Sequence, residues 1–370
     1  MTTHAALRRT PLHDDHVRLG ARMVGFGGYE MPLQYESILK EHGAVRSRAG
    51  LFDLSHMGQF VLRGEGVAEW ADALTVNAVA TMKPYQARYN IFCNDRGGAH
   101  DDVIFYRLPD RWLLVVNAAN ADKMWAHLQR HAADRSDVVL EDRRGRSALV
   151  AIQGPRAQEM LQPHTDVDLS SVRYYFCAEG RVAGAPAVVA RTGYTGEDGF
   201  ELFLDAEDAS AVWHALLDAH ADDGLMPCGL GARDVLRLEA GMPLYGHELT
   251  EEITPVQAGL TWAIKWNKPS FLGKEALARQ FERGDYPRIV GLVVGSRAPA
   301  REGYRVLQHG RAVGEIRSGG PAPALGNRNI ATALVEAQAA TAGTQLEVEI
   351  RGTAYPAEVV PLPFYKRASS

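Results

Sequence analysis

"RTGYTGEDGFELFL", Arg191 to Leu204, changes character halfway along. Its first part is Gly, Thr, Asp and Tyr, the composition of a turn-rich loop. Its second part alternates: Phe200, Leu202 and Leu204 share one face, Glu201 and Phe203 the other. The alternation predicts a strand with a covered face, and it sets a carboxylate beside an aromatic. On spacing alone two readings stand level. The acid is a charge on the wet side of an edge strand, where it discourages aggregation. Or it is an acceptor prepared for a planar pair of N–H donors. Glycines 193, 196 and 199 let the backbone turn and come close to a ligand. Tyr194 offers a ring face and a hydroxyl.

The rest of the chain decides what kind of sheet this strand enters. Helical spacing marks 67–74, 120–133, 207–220 and 232–241, the last stopped by Gly241 with Pro243 just beyond. Strands are expected at 59–62, 103–107, 112–117, 148–153 and 187–191. The two kinds of element do not alternate regularly enough for a doubly wound parallel sheet, so the fold class is α+β. Composition changes near Gly284. Beyond it come short strands separated by Gly and Pro, the pattern of a small all-β barrel or sandwich of roughly 80 residues.

The 370 residues allow two or three domains with real cores. A net charge of −5 without a dense Lys/Arg block argues against a nucleic-acid partner. The longest apolar runs, such as "WLLVV" at 112–116, are too short to span a bilayer. The first sixteen residues lack an apolar signal core, and Cys93, Cys177 and Cys228 are widely spaced with no CxxC. A cytoplasmic protein with buried thiols is expected. No phosphate loop, nucleophile elbow or zinc spacing occurs, and "GLGAR" at 229–233 lacks a third glycine and a preceding apolar strand. Neither a metal nor a nucleotide cofactor is expected. His13 and His16 lie among acids and read as a solvated turn. His56 in "FDLSHMG" reads as structural.

Three further stretches carry candidate chemistry. "NDRGGAHDDVIFYRL", 94–108, is a hairpin turn running into a strand. There Asp101 shares a face with Val103 and Phe105, and Asp102 with Ile104 and Tyr106. At least one carboxylate stands at the mouth of an apolar region, although solvated turn acids are the commoner case. "KPYQARYNIF", 83–92, places Tyr85 and Tyr89 just before it. In "CGLGARDVLRLEAG", 228–241, Arg233 and Arg237 lie one helical turn apart. Either can hold an anion, or pair with Asp234 or Glu239 on the surface; for Arg237 the surface pair is the expected role.

Taken in order, these stretches resemble the tetrahydrofolate-dependent aminomethyltransferase (T-protein) family of the glycine cleavage system. The resemblance runs through "RRTPLHDDH", "GGYEMPLQY", "AGLFDLSHMGQF", "GGAHDDVIFYRL", "AIQGP", "RTGYTGEDGFEL", "PCGLGARDVLRLEAGMPLYGHEL", "EEITPVQAGLTWAIKW", "FLGKEAL" and "VVPLPF", nearly the whole chain. It implies a three-domain cloverleaf around a central folate channel. Residues 1–275 would form two interleaved α+β subdomains, the inserted one roughly 55–145, and 286–370 the β-barrel domain. It implies transfer of the methylene carbon of an aminomethyl group from the dihydrolipoyl arm of a carrier, the H protein, to tetrahydrofolate, with release of ammonia. The other components of that system are further expected partners.

By the same resemblance Asp102 is the catalytic acid and Asp101 a structural neighbour. Glu201 would accept the adjacent N–H donors of the pterin as a fork. Tyr194, Met57, Tyr89, Asn117 and Arg233 would line the pocket, with Arg367 near the folate tail. Related folate proteins that serve iron–sulfur assembly or tRNA modification typically show "KGCYxGQE"; here "TGYTGEDGFE" has no cysteine. Folate-dependent demethylating and oxidising relatives usually carry a fused flavin module, for which the chain has no room. Two departures from the family pattern stand out: Tyr29 where relatives commonly have Trp, and "SGGPAPALGNRNIA" at 318–331.

Overall fold

The computed structural model describes residues 6–367. The described chain divides into two compact units interleaved in sequence. One holds the chain up to Val67, Thr81–Arg88 and Val103–Asp234; the other holds Ala68–Ala80, Tyr89–Asp102 and the chain from Val235 onward. The class is α+β, with largely antiparallel sheets, packed helices and a closed C-terminal barrel.

In the first unit the Glu201 strand, Gly199–Asp205, is interior to a six-stranded sheet. The order is Cys177–Val182, Ala185–Ala190, Gly199–Asp205, Ser147–Gln153, Ala49–Asp53, Leu225–Pro227. Glu201 faces Ala190 on one neighbour and Ala151 on the other. The edge-strand reading of the acid is therefore overturned: both sides of its backbone are paired. The alternation is as expected, for Phe200, Leu202 and Leu204 enter a buried core with Leu51, Val150, Ile152 and Val189. Helix Ala209–Ala219 closes that core with Val212, Trp213 and Leu216, its apolar stripe. Each such fully buried side chain contributes roughly 1.5–3 kcal/mol.

Elsewhere in this unit Gly58–Arg63 pairs with both Trp112–Val116 and Val139–Asp142, and Ile104 to Arg107 pairs with Val115 to Trp112. The expected solvated turn at His13 and His16 is wrong: both rings are buried in helix His13–Arg18. His16 Nε2 shares a hydrogen bond with Asp53 Oδ2 (2.9 Å), and Tyr35 Oη one with His16 Nδ1 (2.8 Å). His13 Nε2 meets Glu30 at 2.9 Å. Glu30 and Asp53, from other elements, supply these partners.

In the second unit six strands close into a barrel in the order Arg288–Val294, Arg328–Val335, Arg311–Ala322, Arg305–Gln308, Gln345–Ile350, Thr353–Val360. The last pairs back onto the first, so no edge remains unpaired. Val290, Leu292, Val294, Ile316, Ala333, Val348 and Val359 fill its interior. The compositional break is visible as the end of helix Lys274–Arg283 at Gly284, whose φ of +73° suits glycine, before the first barrel strand.

Arg237 corrects another expectation. It is buried rather than on the surface. Its guanidinium donates to Glu248 Oε2 (3.1 Å), Met242 O (3.3 Å) and Ser318 Oγ (2.8 Å). Ser318 belongs to the 318–331 departure, and Ala324 N–H in the same stretch donates to Glu239 Oε1 at 2.9 Å. The altered segment thus seats on the end of helix Leu230–Glu239. Among the described residues no helix is long and apolar enough to cross a membrane.

Candidate active site

Glu201 is 7% exposed. A buried carboxylate is costly unless hydrogen bonds replace its water. Here Tyr106 Oη donates to Oε2 at 2.9 Å, and Thr192 Oγ1 donates to the same oxygen. Among the described residues Oε1 accepts no protein hydrogen bond. The Tyr106 ring also meets Phe203 edge-on, 4.9 Å between centroids. Glu201 and Phe203 thus share one face, as the alternation requires, and Tyr106 packs against both.

The loop before this strand is tied down rather than open. Arg46, from helix Ile38–Ser47, donates to Thr195 O (2.7 Å) and Glu197 Oε1 (2.8 Å). Arg191 Nε donates to Asp198 Oδ1 at 3.0 Å. At Gly193 and Gly199 the missing Cβ makes room for a side chain of the protein itself. A Cβ at Gly193 or Gly199 would strike the Gln153 side chain. Gln153, buried, donates Nε2 to Thr192 O and accepts from Thr195 Oγ1, each at 3.0 Å. Only Gly196 of the three has a positive φ, +80°.

Arg233 sits near the start of helix Leu230–Glu239. The helix start is fixed by Glu41, which accepts from the Gly229 N–H (2.9 Å) and the Tyr35 N–H (2.7 Å). Gly229 is glycine because its backbone lies against that of Leu33. The Arg233 guanidinium stands 4.7 Å from the Tyr194 ring centroid, a cation–π contact. Desolvation draws its pKa down, against the pull of Tyr194 and Glu201. The arginine therefore feels the Glu201 charge.

His56 lies buried beside this group, and its Nδ1 has no hydrogen-bond partner. Burial above all pushes its pKa down to about 4; Asp53 opposes the shift and Arg233 adds to it. The imidazole is neutral at pH 7. Met57 follows it, and the pairing of Gly58 with Val116 puts Met57 and Asn117 at the same end of two adjacent strands. A buried carboxylate with one open oxygen, a cation on an aromatic face and an orphaned imidazole nitrogen form a donor and acceptor set. It fits a planar heterocycle with adjacent N–H groups.

In the second unit Asp101 is fully buried and Asp102 half-buried. Tyr89 Oη donates to Asp102 Oδ2 at 3.0 Å. Trp262 stacks on the Tyr89 ring, with centroids 5.7 Å apart and planes inclined by 29°. Arg367 is exposed.

The structure thus unites Glu201, Arg233 and Tyr194 in one unit, and Tyr89 with Asp102 in the other. Sequence reading missed Tyr106 and Thr192 as partners of Glu201, Gln153 under the loop, and Trp262. A period-two signal for Tyr106 existed, since it shares the Asp102 face. A cavity of about 360 Å³ in the first unit, lined by Phe60, Leu113, Val188, Phe203 and Arg111 among others, contains none of the expected site residues. Among the described residues no group of three or more His, Cys, Asp or Glu is placed to hold a metal ion.

Residues 12–268 match the GCVT N-terminal domain, and residues 288–366 the glycine cleavage T-protein C-terminal barrel domain. An aminomethyltransferase of Thermus thermophilus is 52% identical over 97% of this chain and 99% of its own length. One of Deinococcus deserti is 50% identical over 99% of each. The crystal structure of glycine cleavage system aminomethyltransferase T from Bartonella henselae superposes with a TM-score of 0.91 at 34% identity, covering 97% of this chain and 98% of that one. The chain belongs to the glycine cleavage T-protein family of aminomethyltransferases.

Proposed function

We propose that Glu201, Arg233 and Tyr194 hold the pterin of tetrahydrofolate and that Asp102 is the catalytic carboxylate. Aminomethyl transfer in glycine cleavage is the activity of the family and of this chain. The residue assignment, the folate and the carrier are the proposal. The observation that carries it is the Glu201 carboxylate, with one oxygen held by two hydroxyls and the other open to a ligand.

The substrate is the aminomethyl group on the dihydrolipoyl sulfur of the H protein. The reduced folate supplies the two amine nitrogens that receive the one-carbon unit. Glu201 accepts from the pterin edge and sets its orientation, and Arg233, braced on Tyr194, offers donors beside it. Met57 and Asn117 line the same site. The carbon becomes electron-poor as its bond to nitrogen breaks. A fixed carboxylate lowers the energy of that charge and orients the attacking nitrogen. It can also move the proton that leaves with ammonia. Tyr89 fixes the carboxylate by occupying Oδ2. Arg367 is assigned to the folate tail.

Residues 1–275, with 55–145 inserted, are assigned to the folate-binding region. The chain is assigned to the cytoplasm, with the lipoylated H protein and the other glycine cleavage components as partners and without membrane or metal; its net charge of −5 argues against nucleic acid.

The test is Asp102→Asn, assayed for ammonia and methylenetetrahydrofolate with aminomethyl-loaded carrier. Folate affinity is expected to be kept while turnover falls on the order of 10²–10³-fold. Undiminished turnover removes Asp102 from catalysis. A wild-type protein that forms no ammonia from the loaded carrier overturns the reaction itself.

A further inference from the structure

The hydroxyl that holds Asp102 sits at the far end of a tyrosine ring. A small rotation about the side-chain bonds of Tyr89 swings that hydroxyl by ångströms, so the hydrogen bond at 3.0 Å needs something to stop the ring. Trp262 supplies the stop. Its indole stacks on the Tyr89 ring at an inclination of 29°, with centroids 5.7 Å apart. It does so while 60% exposed, an unfavourable setting for so large an apolar surface.

The chain around Trp262 explains how it is held there. It is the middle residue of the short 3₁₀ turn Thr261–Ala263. Leu260, Ala263 and Ile264 on either side are buried, and the Lys265 N–H donates to Val76 O at 2.9 Å. The turn is pinned to the core of its unit, and Tyr89 packs against the same cluster, which holds Ile91, Leu260 and Ile264. Its outward residue is laid across Tyr89. Stacked rings fix each other's orientation more closely than an aliphatic contact does.

We propose that Trp262 is a positioning residue for Asp102 and acts through Tyr89: the indole fixes the ring, and the ring's hydroxyl fixes the carboxylate. This rests on the reading of Asp102 as the catalytic group. Trp262 itself need not touch substrate.

The test compares Trp262→Ala, Trp262→Phe, Tyr89→Phe and the double variant Trp262→Ala/Tyr89→Phe in the full chain with loaded carrier. Trp262→Ala is expected to lower kcat about tenfold and to change either KM less than about twofold. Trp262→Phe restores most of the rate. Tyr89→Phe lowers kcat by a similar factor. Adding Trp262→Ala to it then costs less than about twofold more, because no hydroxyl is left to position. Equal losses in both backgrounds overturn the proposal. So does a raised KM with unchanged kcat, which makes Trp262 a binding surface instead.

A crystal structure of Trp262→Ala gives a readout that needs no turnover. The Tyr89 hydroxyl is expected to leave hydrogen-bonding reach of Oδ2. A hydroxyl still in place overturns the proposal whatever the protein catalyses. Failure of the catalytic reading shows separately, as full turnover in Asp102→Asn.

Discussion

Tyr106 and Glu201, separated by 95 residues in sequence, are joined by a hydrogen bond of 2.9 Å in the buried interior. The hydroxyl donates and the carboxylate accepts, so the tyrosine orients the acid while its ring packs on Phe203. Removing only the hydroxyl should loosen the acid without opening a cavity. Tyr106→Phe is expected to weaken tetrahydrofolate binding by about tenfold, and Glu201→Ala by more, on the order of a hundredfold. Fluorescence titration of the free protein measures both. Unchanged affinity in the two variants would move the pterin away from Glu201.

Gly193 gives a prediction about stability rather than binding. Its missing Cβ leaves room for Gln153, whose amide bridges Thr192 and Thr195. Gly193→Ala is expected to push Gln153 from that place and cost about 1–3 kcal/mol, as overpacking does. Urea unfolding without ligand reads it. Wild-type stability combined with weaker folate binding would mean that the glycine serves the ligand after all.

His56 predicts a pH dependence. Its pKa is about 4 in the folded protein against 6.5 for a free imidazole. Between these values the unfolded chain binds the additional proton, so stability rises with pH across the window and is lost on acidification. At most about 3 kcal/mol is at stake from this residue. His56→Gln is expected to lose less stability than wild type between about pH 7 and pH 4.5, by denaturant titration at each pH. Equal acid losses would show that the ring is already charged or solvated in the fold.

Glu248 holds a buried ion pair with Arg237, and also accepts from Thr332 Oγ1 and from the Leu244 N–H at 2.9 Å. Removing Glu248 takes a charged acceptor from the buried guanidinium. Glu248→Ala is expected to destabilise the protein by about 3–5 kcal/mol. Replacing both, as Glu248→Leu with Arg237→Met, is expected to recover much of that. Calorimetric or urea unfolding of the two variants decides the matter, and a double variant no better than the single one would contradict the buried-charge account.

Much of the local structure was legible beforehand. The strand at Gly199–Asp205 and its faces follow from period-two alternation, and the helix at Val67–Leu74 from helical spacing. The hairpin turn at 94–98 follows from its Asn, Asp and Gly residues, and a small all-β domain, barrel or sandwich, from the change in composition after Gly284. These signals arise among residues a few positions apart, where steric preference and hydrophobic period act directly.

Partnership and burial were not legible in that way. The acids around His13 and His16 suggested water, yet Asp53 and Glu30 arrive from other elements and the rings are enclosed. Arg237 suggested a surface pair, yet Glu248 and Ser318 take it inside. The glycines near Tyr194 suggested ligand approach, and nothing local showed that Gln153 fills the space at Gly193 and Gly199. The sequence by itself determined the elements, the face on which Glu201 stands and the resemblance that names the chemistry. Only the tertiary structure decided that Tyr106 and Thr192 hold that acid, and that Trp262 lies over Tyr89. Hydrogen bonds and ring contacts between distant segments depend on how whole elements pack, and no local pattern encodes them.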